Sequence, residues 1–207
     1  MDILSTGKNP GGSGRGRIRR AGRRVATAFL LVLLTASQAQ AQTSTPTEYQ
    51  VKATWLLNFV QFTEWPAAAF TNANTPIRIG ILGDDPFGGA GGILEKTVEG
   101  ETINSRKLVV FRVRRVEDVK DCQLLFISKS EKPRLTEILR SLETASVLTV
   151  GETESFARSG GIINFYLDGK KVRFEINAAA ARRKGIKISS QVLDLAKPVG
   201  PTITKGN

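Results

Sequence analysis

Histidine is absent from all 207 residues, which removes the Ser/His/Asp and Cys/His triads, the zinc sites built on imidazole and the commonest general base. Cysteine occurs once, as Cys122, so no disulfide can form within the chain even in an oxidising compartment. That residue opens the apolar run Cys122-Gln123-Leu124-Leu125-Phe126-Ile127, where a thiol behaves as a small buried hydrophobe. No internal repeat is present. The apolar run Val25 to Ala36 covers about a dozen residues where a membrane-spanning helix needs about 20, so a permanent anchor is the weaker reading.

The surroundings of that run favour export. Seven basic residues against one acid, Asp2, precede it between Met1 and Arg24, and the small-residue pattern Ala39-Gln40-Ala41 follows it. Basic, apolar and A-x-A in that order describe a cleaved signal peptide over residues 1–41. Arg19-Arg20 and Arg23-Arg24 invite a twin-arginine reading, but general secretion is favoured. Removing seven of the 30 basic and one of the 19 acidic residues leaves 23 and 18, a net charge of +5 in place of +11. Nucleic-acid binding thereby loses its main support. About 165 residues remain, enough for one core.

A polar stretch over residues 42–47 reads as a linker. From Glu48 to Phe62, Val51, Trp55, Phe59 and Phe62 recur near helical spacing, Leu56 and Val60 widen the stripe, and the aromatics read as core packing. Glu64-Trp65-Pro66 stops the pattern. Ile77 to Leu82 reads as a strand that runs into the loop Gly83 to Gly92 and a short helix around Ile93 to Thr97. That loop carries neither G-x-x-x-x-G-K-[ST] nor G-x-G-x-x-G, and Asp84 and Asp85 at its mouth would repel phosphate. Both acids suit a turn better than a metal. Lys107 to Val113 is a second strand, with Arg112, Arg114 and Arg115 expected as a solvated end.

Cys122 to Ile127 reads as a strand buried on both faces. Leu135, Ile138, Leu139 and Leu142 mark an amphipathic helix, Val147 to Val150 another strand, and Glu154 to Ser159 a helical turn ended by Gly160-Gly161. Two strand patterns then meet at Asp168-Gly169, a hairpin signal. Strands alternating with amphipathic helices predict an α/β fold: a three-layer sandwich, mostly parallel, with a carboxy-terminal antiparallel hairpin. The domain is expected over residues 48–199 and a disordered tail over 200–207.

Candidate site residues fall in the last third. In Lys171 to Ile176 the polar row places Arg173 and Glu175 outward, available with Asn177 to solvent or a protein partner. Lys187, Ser189 and Ser190 put a cation, hydroxyls and free amides at a helix start, suited to an anion, although ordinary capping accounts for the same residues. Carboxylates Asp84, Asp85 and Glu175 could pair for acid/base work, yet nothing in their spacing brings them together. No cofactor is expected.

Several stretches resemble the YfiR family of exported proteins. They are Lys52-Ala53 through Asn58-Phe59 with Trp65-Pro66, Gly83-Asp84-Asp85-Pro86-Phe87-Gly88, Leu125-Phe126-Ile127-Ser128 and Val147-Leu148-Thr149-Val150. Phe156-Ala157 with Gly160-Gly161, Arg173-Phe174-Glu175-Ile176-Asn177 and Ile188-Ser189-Ser190 ahead of Leu193 continue the set in order. The resemblance implies a periplasmic, non-enzymatic homodimer with a Rossmann-like α/β fold that represses an inner-membrane diguanylate cyclase through its periplasmic sensor portion, lowering cyclic di-GMP and biofilm formation. It also implies release by an outer-membrane lipoprotein, and some relatives act beside histidine kinases. Family members can carry redox-linked disulfides, whereas Cys122 stands alone. A periplasmic sensor of a small anionic or aromatic ligand is the alternative.

Overall fold

Thr47 starts the first helix, α1 (Glu48–Gln61), with a capping box: its hydroxyl accepts from Gln50 N at 3.3 Å while its own N–H donates to Gln50 Oε1 at 2.7 Å. The computed structural model describes residues 45–119 and 121–199. The expected signal peptide and tail lie outside these residues. The buried line of α1 is Lys52, Ala53, Leu56, Phe59 and Val60, with Val51 and Trp55 only half-buried. Leu56, Phe59 and Val60 are buried as expected, Val51 and Trp55 lie at the margin of the stripe, and the buried line also takes in Ala53 and a lysine.

The main sheet has eight strands. They are β2 (Ile77–Leu82), β3 (Thr102–Ile103), β4 (Arg106–Val113), β5 (Leu124–Ile127), β6 (Leu148–Gly151), β7 (Ile163–Asp168), β8 (Lys171–Ile176) and β10 (Lys197–Pro198). Their order is β10-β8-β7-β6-β5-β2-β4-β3. Pairings from β4 through β2, β5 and β6 to β7 are all parallel. The β7–β8 hairpin turns antiparallel at Asp168-Gly169, with Gly169 at φ +60° as that loop requires. A separate ribbon pairs β1 (Thr63–Glu64) with β9 (Lys187–Ile188).

Alternation along β5 divides the core in two. Leu124 and Phe126 join α1, α2 (Ile93–Val98) and α4 (Ala178–Arg183) on one face, while Leu125 and Ile127 join α3 (Leu135–Ser141) on the other. The mostly parallel three-layer α/β fold with a terminal hairpin is what the residue pattern predicted. The aromatics of α1 pack as core: Phe59 lies 5.7 Å from Phe165 and 5.1 Å from Phe174, and Trp55 lies 4.6 Å from Phe174. Cys122 is buried, and burial pushes its thiol up to about 12, so it stays protonated. Glu154 to Ser159 forms turns rather than a regular helix. Among the described residues no helix is long and apolar enough to cross a membrane.

Candidate binding cleft at the carboxyl end of the sheet

Parallel sheets of this order present ligand crevices outside the carboxyl ends of their strands, at the point where chain direction across the sheet reverses. Here that point lies between β2 and β5, and the protein's own chain fills it. Gly83, at φ +89°, sits so close to the segment after β5 that a Cβ would lie 2.4 Å from Ser130 Oγ and 2.8 Å from Glu131 Cγ. Asp84 N donates to Ser130 Oγ at 2.9 Å, and the buried Glu131 is held by Arg134 at 2.6 Å. The glycine-rich loop is likewise occupied. Asp85 accepts from Phe87 N at 2.7 Å and from Arg112 Nε at 2.8 Å, and Arg112 also reaches Glu95 and, at 2.5 Å, Gly89 O. Arg112, expected as part of a solvated strand end, is instead the tie that closes this loop. The reason is register: β2 and β4 run parallel with Ile81 beside Arg112, so the loop leaving β2 meets the end of β4.

The open cleft lies further along the same end of the sheet, beside β6 and β7. It encloses about 480 Å³ between Lys52 of α1, Lys129 after β5, Glu152 after β6, and Asn164 and Tyr166 of β7. At its base Lys52 Nζ bridges two carboxylates, Glu48 Oε1 at 2.5 Å one helical turn away and Glu152 Oε2 at 2.6 Å. Both the Lys52 and the Glu152 side chains are only 4% exposed. An ammonium and a carboxylate this deep persist because each satisfies the other. Tyr49 adds a hydroxyl that donates to Glu152 Oε2 at 3.3 Å. Burial, and then the charges of Glu152 and Glu48, push this phenol up to about 12, so it remains a donor. Lys52 also lies 4.6 Å above the Tyr49 ring.

On the far wall Asn164 Nδ2 donates to Glu175 Oε1 at 3.1 Å, while Asn164 Oδ1, buried, has no hydrogen-bond partner. Lys197 Nζ lies 6.0 Å from the Tyr166 ring centroid. The cleft thus offers one unused acceptor, a half-buried phenol and the ammonium groups of Lys129 and Lys197. Its buried Lys52–Glu152 pair is balanced in charge, and Glu48 adds a second, more exposed carboxylate.

The residues singled out in the sequence separate into three places. Glu175 lies in this cleft, half-buried and covered by β10, because Lys197 pairs beside it in the sheet. Arg173 is exposed on the hairpin opposite Tyr166. Asn177 caps α4, accepting from Ala180 N at 3.0 Å and donating to Ala157 O at 2.8 Å. Lys187 is exposed on β9, 3.9 Å from Glu64, and Ser189 caps the short helix α5 (Ser190–Leu193), accepting from Gln191 N at 3.3 Å. Ser190 is the first residue of that helix. Asp84 and Asp85, in the loop after β2, are separated from Glu175 on β8 by the intervening strands β5, β6 and β7. Sequence reasoning missed Lys52, Tyr49, Glu152 and Asn164. The one available signal was the i, i+4 spacing of Glu48 and Lys52, which more commonly marks a solvated helix face.

Two solved structures superpose partly on this chain. A conserved domain protein from Vibrio cholerae O1 biovar El Tor strain N16961 superposes with a TM-score of 0.48 at 14% identity, over 72% of this chain and 60% of that one. An ABC domain in complex with L-Trp from Streptococcus pneumoniae gives 0.41 at 14% identity, over 60% of this chain and 55% of that one. This chain therefore spans less than two thirds of either protein's length. A family model described as YfiR/HmsC-like matches residues 49–197, from the first turn of α1 to β10, and the chain belongs to that family.

Proposed function

We propose that this protein is an exported, non-enzymatic regulator that docks on the periplasmic sensor portion of an inner-membrane signalling protein and restrains it. A diguanylate cyclase is the first choice of partner and a histidine kinase the second; docking on the former lowers cyclic di-GMP and biofilm formation. The observation that carries the reading is the family match over residues 49–197. The chemistry of the domain is compatible with it: Lys52 is ion-paired with two carboxylates, and Tyr49 and the buried Cys122 keep their protons, so these groups are held quiet as nucleophiles. In this reading the protein acts as a homodimer, an outer-membrane lipoprotein releases it, and exposed Arg173 contributes to docking. Deleting the gene should raise cyclic di-GMP, and the tagged protein should retrieve a sensor from detergent-solubilised membranes. Unchanged cyclic di-GMP together with an empty pull-down would remove the proposal.

A second reading has one observation in its favour. The partnerless Asn164 Oδ1 in an open cleft of about 480 Å³ suits a small ligand with an N–H or O–H donor, its acidic end facing Lys129 or Lys197. Calorimetry against a panel of amino acids and dicarboxylates, repeated with Asn164→Leu, tests it. Heat lost in the variant supports a ligand, and no heat from any member of the panel counts against one.

A further inference from the structure

Away from the cleft just described, a second concavity of about 350 Å³ opens between the turn after β6 and α4. Three guanidinium side chains line it, from Arg158, Arg182 and Arg183, and no carboxylate does. All three are exposed, and among the described residues none of them forms a salt bridge or hydrogen bond. Placing Arg182 and Arg183 in the last turn of α4 complements the negative end of a helix. That accounts for two of the three. Arg158 comes from another segment altogether, and that segment is firmly held: Phe156 is fully buried between Gly151 and Gly161, where a Cβ on either glycine would come within 2.4 Å of its ring.

The helix is also cut to leave room. Ala178 and Ala179 stand one turn before Arg182 and Arg183 on the same faces, so small methyl groups form the floor and the long cations form the rim. Asn177, which could have competed as a polar group, is spent on the cap and on Ala157 O. A neighbouring hollow shares Gly160 and Arg183 and adds Arg140, with Glu143 as its one carboxylate. Lys184 there is committed to the backbone, donating to Glu143 O at 3.1 Å and Ala145 O at 3.3 Å.

We infer that this concavity is a docking site for an acidic segment of a partner protein that also carries an apolar side chain. Guanidinium forks prefer carboxylate or phosphate oxygens, which they can bind bidentately. The rest of the lining selects among anions. Ile176, Pro198 and Val199 supply an apolar wall that a bare inorganic anion leaves unused and that a planar bilayer cannot enter. A peptide with glutamate or aspartate beside leucine uses both parts, carboxylates on the rim and the aliphatic group on the wall. The inference concerns a different surface from the cleft and does not depend on which sensor, if any, the protein restrains.

The test titrates the purified, signal-processed protein with three probes: a synthetic peptide of alternating acidic and leucine residues, inorganic phosphate, and phosphatidylglycerol vesicles. Saturable peptide binding is expected, weakening with added salt and falling about tenfold in Arg158→Gln/Arg182→Gln, while Lys170→Gln, at an exposed position in the β7–β8 turn, leaves it unchanged. Arg158→Lys, which keeps the charge and loses the fork, should fall between. Amide shifts on the unaltered protein should move at Arg158, Ala179 and Arg182, a readout that does not depend on any variant folding. Binding of phosphate or vesicles without the peptide, peptide affinity equal in the double variant, or shifts confined to other residues would each overturn the assignment.

Discussion

Two ionic clusters in this molecule have the same formula, one cation between two carboxylates, and do different work. Lys52 joins Glu48 to Glu152 across about a hundred residues of chain, tying α1 to the end of β6, and both members of its long-range pair are 4% exposed. Arg112 joins Asp85 to Glu95 within one stretch of sheet edge, loop and helix, and is itself 29% exposed. The choice of cation follows. A guanidinium has donors enough to serve two carboxylates and Gly89 O in one plane, as a loop clasp needs, whereas an ammonium is a compact charge that fits at the base of a narrow cleft. A long-range buried tie should act on global unfolding and a local, half-wet one on local opening.

The sharpest way to break the comparison is Lys52→Met. It leaves Glu152 buried without a cation, and the expected loss is about 3 kcal/mol or more, read as a fall in the denaturation midpoint with the slope unchanged. Adding Glu152→Leu should restore most of it, because the stranded charge goes too. A Lys52→Met protein as stable as the parent would mean that the ion pair is not buried as described. Arg112→Met should cost less, about 1–2 kcal/mol, because water replaces part of what is lost. Its signature is faster amide exchange over residues 84–92 with the core amides unaffected. Equal acceleration everywhere would erase the distinction between the two clusters.

Much of the fold was legible before any coordinates, and what was missed has a common cause. Long alternating or helical patterns such as Ile77 to Leu82, Cys122 to Ile127 and Leu135 to Leu142 carry their periodicity with them, and they became β2, β5 and α3. The two-residue strands β1, β3, β9 and β10 have no period to read; Lys197-Pro198 becomes a strand only because β8 lies beside it. Lys52 was invisible for the same reason, since its partner Glu152 is defined by the place where β6 ends. Of the residues named in advance, only Glu175 lies in the open cleft, and it arrived there through sheet register rather than any local motif.

Tyr49 sharpens the picture of the buried cluster at smaller cost. Its phenol titrates near 10 in the unfolded chain and is pushed up to about 12 in the fold, so the native state holds its proton more tightly. The sign is that of a raised pKa: the contribution is whole below pH 10, declines as the unfolded state ionises between 10 and 12, and is gone above 12. Tyr49→Phe should cost about 1 kcal/mol at neutral pH and flatten that decline. Phenolate absorbance checks it, since one of the two tyrosines should ionise late in the native protein and normally in denaturant.

The weakest perturbation calibrates the rest. Lys187 and Glu64 approach to 3.9 Å across the β1–β9 ribbon with side chains 82% and 79% exposed, so water and salt screen them almost completely. Lys187→Ala should leave the denaturation midpoint where it was at both low and high salt, in contrast to Lys52→Met. It should also leave the Ser189 cap in place, because the hydroxyl bonds Gln191 N without help from the lysine. A measurable loss would mean that the ribbon carries load through a charge that ought to contribute nothing. A loss of anion binding with stability intact would instead assign Lys187, with Ser189 and Ser190, to a ligand.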